Sequence, residues 1–155
     1  MSTQHALNRG TALLLEMACE AVDQLAAAGL LVLPDGNLDW RSVREVCGTT
    51  RVLVAVPEKQ VDAVAQAGLI PVEVEPVDAG IVERITLALI ESVANDLLRS
   101  GARVVVAYAA FDSELDSIST IRLGERLERL SARDLRALET SVPFETLKAI
   151  VDIAV

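Results

Sequence analysis

The chain has 155 residues, of which 52% are hydrophobic but only 3% aromatic, and its formal net charge is −9. That length suits one domain able to bury about two thirds of its unfolded surface without a covalent staple. With Lys59 and Lys148 as its only lysines, so acidic a surface repels phosphate backbones and anionic headgroups, which argues against nucleic acid or a membrane as a direct partner.

Taken from the start, the apolar run 12–15 is too short for a signal-peptide core, and Glu16, Glu20 and Asp23 interrupt any membrane span. A cytoplasmic protein is expected. Leu14, Leu15, Ala18, Val22 and Leu25 recur at helical spacing and form the stripe of a first, sheet-packing helix. His5 is the only histidine, and Cys19 and Cys47 stand apart in the sequence. Their spacing suits neither a zinc site nor a Cys-His or Ser-His pair, so buried reduced thiols are expected, with no metal and no catalytic residue.

Four helical segments are each expected to end at a glycine, Gly29, Gly48, Gly68 or Gly101, in the left-handed conformation, and to feed an apolar strand. The strands fall at 30–33, 51–56, 69–74 and 103–108. The second and fourth are almost continuous Val, Leu and Ala, as in parallel strands buried on both faces. Between them, Trp40 opens a short helix through Val43 and Val46, and Pro57 precedes another through Val61 and Val64. A long helix over 81–99 buries Val82, Ile85, Leu89 and Val93 and should be the most protected. Helix and strand in alternation, with right-handed crossovers, predict a three-layer αβα fold around a mostly parallel sheet.

A fifth strand is expected at 119–123, where the connection is too short for a helical crossover, so it should return antiparallel beside the fourth at the sheet edge. After Gly124 the composition turns to Arg, Glu and Leu, as in an exposed connecting helix. The segment 141–155 then reads as an apolar helix: Pro143 suits a first turn, and Phe144, Leu147, Ile150 and Val151 form a stripe with no capping signal after it. These residues predict an interface or a linker helix leading into a further domain. The division is a compact α/β domain at 1–124 and a helical connector at 125–155.

Ligands of open parallel sheets bind outside the carboxyl ends of the strands. The loops expected there carry Asp35, Glu58, Glu75, Asp78, Asp112, Glu114 and Asp116, an acidic edge with no glycine-rich phosphate cradle and no expected Lys or Arg for an anionic ligand. Asp35, Asp78, Asp112, Glu114 and Asp116 are the candidate ligand-edge residues, although Asp35-Gly36-Asn37 reads first as a turn and 111–116 first as a solvated acidic loop. A phosphoacceptor domain would need a lysine after its last parallel strand, where this chain has none. No pair of carboxylates is singled out for acid/base work, so the isolated chain is not expected to be an enzyme.

The segment 104–155, above all Phe111-Asp112-Ser113-Glu114-Leu115-Asp116-Ser117-Ile118 and Ser141-Val142-Pro143-Phe144-Glu145-Thr146-Leu147, resembles the region ahead of the catalytic domain in certain bacterial and archaeal diadenylate cyclases. The stretch before it is similar to the pyruvate kinase C-terminal domain. The resemblance implies a non-catalytic regulatory or oligomerisation module whose parent makes cyclic di-AMP from two ATP. The cyclase motifs Asp-Gly-Ala and Arg-His-Arg are missing, since Asp35-Gly36 is followed by Asn37 and no histidine is flanked by arginines. ATP and a divalent metal would therefore belong to a catalytic domain absent from this chain, which itself needs no cofactor. That domain, and a second copy of the chain, are the partners implied. Pro34-Asp35-Gly36-Asn37 also departs from the Thr/Ser/Gly-rich effector loop of pyruvate kinase. The other reading is a stand-alone α/β domain that binds a small ligand or divalent cation at its acidic edge, and a third is an enzyme using those carboxylates.

Overall fold

The computed structural model describes residues 7–75, 78–111 and 114–124. In chain order the elements are α1 (Arg9–Gln24), β1 (Gly29–Leu33), α2 (Trp40–Cys47), β2 (Val52–Val56), α3 (Glu58–Gln66), β3 (Ile70–Glu73), α4 (Ile81–Ala94), β4 (Arg103–Tyr108) and β5 (Ser117–Arg122). The strands form one sheet of order β3-β2-β1-β4-β5. Every pairing is parallel except the last, in which Val105 opposes Thr120 and Tyr108 opposes Ser117. The expected antiparallel edge strand is present, and it begins two residues earlier than its alternation suggested.

Every residue of β1 and β2 is buried, which is why both read as unbroken apolar runs. Their side chains divide between two cores by the period-two alternation of a strand. Leu30, Val32, Val52, Val54, Val56, Val105 and Ala107 pack with Leu15 and Val22 of α1, Trp40 and Val43 of α2 and Val64 of α3. Leu31, Leu33, Leu53, Ala55, Val72, Val104 and Val106 pack with Ile85, Ala88, Leu89, Ile90 and Val93 of α4. Helices cover both faces, giving the three-layer αβα arrangement. Because α4 is the helix of the second core, half its residues are buried, and its buried Thr86 and Ser92 hydroxyls donate back to the carbonyls of Val82 and Ala88 at 2.8 and 2.7 Å.

Three expectations about helix ends are corrected. Gly29 does not terminate α1: it is the first residue of β1, while Ala26 takes the positive φ of 51°. A Cβ at Gly29 would stand 3.0 Å from the Arg51 carbonyl oxygen, so close strand approach selects this glycine. The long helix stops at Ala94 rather than at residue 99, because Asp96 turns to a φ of 58° and Leu98 drops into the core. Gly101, with φ 82°, lies in the turn before β4 and not at a helix end. Two stripe positions also differ: Leu25 lies beyond α1 and is 37% exposed, and Val82 is 47% exposed at the start of α4.

Arg44 fastens the turns at the amino edge of the sheet. Its Nη2 donates to the carbonyls of Gly48 and of Thr50, the latter at 2.6 Å, and its Nη1 donates to that of Gly68 at 3.2 Å. Those oxygens belong to the turns entering β2 and β3, where Gly48 and Gly68 adopt φ of 59° and 86° as expected.

Candidate ligand-binding cleft

The loops leaving β1, β2 and β3 open a cleft of about 470 Å³ at the carboxyl edge of the sheet. Asp35 and Gly36 line it from the loop after β1, Lys59 and Gln60 from the first turn of α3, Glu75 and Asp78 from the β3–α4 loop, and Arg84 from α4. Gly36, at φ 111°, makes the turn in which Asp35 was expected to serve. The cleft is therefore mixed in charge, with three carboxylates and two cations around it. This corrects the expectation of an edge without Lys or Arg. Lys59 was set aside as misplaced in linear sequence, and Arg84 read only as one polar position of a long helix; the sheet order brings both to the same opening.

The helices that reach this cleft start differently from the others. In α1 the Asn8 side chain caps the helix by accepting from the Thr11 amide at 2.7 Å, and in α2 Asp39 accepts from that of Ser42. The caps of α3 and α4 are Pro57 and Gly80, neither of which supplies a side-chain acceptor. Their first-turn amides are those that an N-cap side chain would otherwise serve. Beside them the Gln60 Oε1 is buried without a hydrogen-bond partner, and Arg84 reaches from α4 to the Pro34 carbonyl, holding the two sides of the cleft together. Such an opening can take a small polar molecule that offers an acidic group on one side and hydroxyl or amino groups to the carboxylates on the other.

The family model of the probable sensor domain DacZ_P matches residues 11–131, most of the chain and nearly all of the fold just described. The chain belongs to that family. No curated protein matches it. As a member of a sensor-domain family the chain is consistent with a non-catalytic regulatory role, and none of its described helices is long and apolar enough to cross a membrane.

Within this sensor domain the predicted edge residues separate into two groups. Asp35 and Asp78 line the cleft. Glu114 and Asp116 lie instead in the loop between β4 and β5 and carry local structure. Glu114 Oε2 accepts from the Thr11 hydroxyl at 3.0 Å, joining that loop to the start of α1. Asp116 accepts from the amides of Ala110 and Phe111, both at 2.8 Å, and from the Ser117 hydroxyl. Asp112 lies outside the described residues, as do Phe144, Leu147, Ile150 and Val151. Among the described residues no three histidine, cysteine or acidic side chains converge as metal ligands.

The two cysteines, far apart in sequence, meet between α1 and α2. Both are buried and reduced, as expected, but their thiols hydrogen-bond to each other. That bond, with help from Thr50 and the Arg44 charge, brings the Cys19 thiol down from 9.0 to about 7, against the opposing effects of burial and Asp23. The same bond, burial and the Cys19 charge push Cys47 far up. No spacing rule announces such a pair, since the contact depends on how two helices pack.

Proposed function

We propose that this chain is the sensing module of a diadenylate cyclase. In this reading it binds a small polar metabolite in the cleft at the carboxyl ends of β1, β2 and β3 and passes occupancy to a catalytic domain that condenses two ATP into cyclic di-AMP. The observation that carries the reading is the family membership, because a sensor domain requires a ligand or partner to sense. The cleft supplies a fitting place: Lys59 and Arg84 would meet an acidic group of the metabolite, and Asp35, Glu75 and Asp78 its hydroxyl or amino groups. Phosphate esters and amino acids both have that chemistry.

The resemblance of residues 104–155 to the segment ahead of the cyclase catalytic domain supports the assignment of the parent. Transmission then runs through residues 125–155, and the two bound states of the module must differ in their coupling to the cyclase if occupancy is to change its rate.

A direct test measures cyclic di-AMP formation by the full-length polypeptide with and without residues 1–124, in the presence of a panel of phosphate esters and amino acids. A rate that responds to one class only when residues 1–124 are present supports the reading. Indifference to every member of the panel, together with identical rates for the two polypeptides, overturns it.

A further inference from the structure

The chain has two cysteines among its 155 residues, and the fold sets them thiol to thiol across the interface of α1 and α2. We propose that Cys19 and Cys47 form a redox-active dithiol, which a hydroperoxide converts into a reversible disulfide joining α1 to α2. The pair stands on the face of the sheet opposite α4, in the core that Leu15, Val22 and Val43 build, and is separate from the cleft.

The surroundings supply what such chemistry needs. A reactive cysteine requires thiolate character and some access. Cys19 is the more ionised of the two, and at 8% exposure against 3% for Cys47 it is also the more accessible. Arg44 provides the positive field on Cys19, held in place by its bonds to the carbonyls of Gly48, Thr50 and Gly68. Cys47 retains its proton and directs it at the Cys19 sulfur, so nucleophile and resolving thiol are already paired.

The steps balance as follows. The Cys19 sulfur attacks one oxygen of hydrogen peroxide, the O–O bond breaks, and the departing oxygen leaves as water after taking a proton, giving a sulfenic acid at Cys19. The Cys47 sulfur then attacks the Cys19 sulfur, the S–O bond breaks, and the hydroxyl departs as a second water with the Cys47 proton. Two thiols and one peroxide become one disulfide and two waters, with two electrons passing from sulfur to oxygen. A dithiol reductant reverses the change by exchange.

The test treats the whole chain with hydrogen peroxide under native conditions, counts remaining thiols, measures mass and maps peptides without reduction. The expected product is a monomer that has lost two hydrogens, has no free thiol, links the α1 and α2 peptides, and regains both thiols with a dithiol. The Cys47→Ala variant should instead accumulate a sulfenic acid at Cys19, trapped by a 1,3-dione reagent, and the Cys19→Ala variant should leave Cys47 unmodified at the same exposure. Three results overturn the proposal: both thiols surviving peroxide that fully oxidises free cysteine, disulfides only between chains, or linkage that appears only once denaturant is added. The mapping of the unaltered chain decides the matter even where a variant fails to fold.

Discussion

Arg84 on α4 donates from Nη2 to the carbonyl oxygen of Pro34, 3.3 Å away, across 50 positions of sequence. The bond fixes the loop after β1 against the helix on the far side of the sheet and holds a cation at the mouth of the cleft. Replacing Arg84 with Ala should cost about 1 kcal/mol of stability, the usual net worth of one such bond at a partly exposed site. Arg84→Lys should keep most binding of an acidic ligand while losing the planar fork that reaches the carbonyl. Denaturant melts of the three proteins and titration with the ligand class found above check both statements. Equal stability of Arg84→Ala and the unaltered chain would show that the Pro34 contact contributes nothing.

Arg44 should matter more, because one guanidinium serves the carbonyls of Gly48, Thr50 and Gly68. Arg44→Ala should destabilise by about 2–3 kcal/mol, since hydrogen bonds to a charged group are worth about twice the neutral kind and the partners are partly buried. Arg44→Lys cannot reach three oxygens at once and should recover less than half. The same Ala variant should also raise the Cys19 thiol, whose positive neighbour is gone; thiol titration by absorbance reads that shift independently of stability.

The architecture was legible in the sequence wherever one kind of signal acted alone. Continuous Val and Leu in β1, β2 and β4 announced buried parallel strands, and the short loop before β5 announced its reversal. Helix ends were less legible: Ala26 and Asp96 take the positive φ angles that glycines were expected to take, a choice made by the packing of the following residues rather than by propensity. The candidate site was half legible. Asp35 and Asp78 were found from the rule that ligands gather at the carboxyl edge. Lys59 and Arg84 were missed because they sit on helices, and only the sheet order β3-β2-β1-β4-β5 shows that these helices begin over the same opening. The Cys19–Cys47 contact left no trace in linear spacing.

Two glycines should respond to Ala for different reasons. At Gly29 the φ is ordinary, but the new Cβ meets the Arg51 carbonyl at 3.0 Å, and backbone of a central strand pair cannot yield cheaply; about 1–3 kcal/mol is expected. At Gly36 nothing lies within 4 Å of the added atom, yet φ is 111°, so the cost, again about 1–3 kcal/mol, is backbone strain. The two are told apart by Gly36→Asn, which tolerates positive φ better than Ala and should recover part of the loss, whereas Gly29→Asn should be worse than Gly29→Ala. Chemical melts of the four variants give the ranking.

Asp116 should prove a structural carboxylate. It accepts from the Ala110 and Phe111 amides and the Ser117 hydroxyl in the loop that carries the chain from β4 into β5. Asp116→Asn exchanges one acceptor oxygen for a donor and should cost about 1–2 kcal/mol, seen as faster amide exchange at Ala110 and Phe111. Ligand binding in the cleft should be unchanged, because Asp116 does not line it. A loss of affinity without loss of protection would return this residue to the binding site.

The thiol pair gives stability a pH dependence whose sign can be worked out. Cys19 falls from 9.0 to about 7 in the folded chain, through the Cys47 bond first and then Thr50 and Arg44, against burial and Asp23. Between about pH 7 and pH 9 the folded pair has therefore released one proton that the unfolded chain still holds, so stability should rise with pH across that window. Above about pH 9 the unfolded chain loses both thiol protons, whereas the folded one keeps that of Cys47, which burial and the neighbouring charge retain. The contribution should then decline. A chain carrying both Cys19→Ser and Cys47→Ser should lack this maximum, and the difference between its denaturation midpoints and those of the unaltered chain, measured from about pH 6 to pH 10, removes the titration of all other groups. A flat difference curve would mean that the two thiols lose their protons in the fold as they do in the unfolded chain.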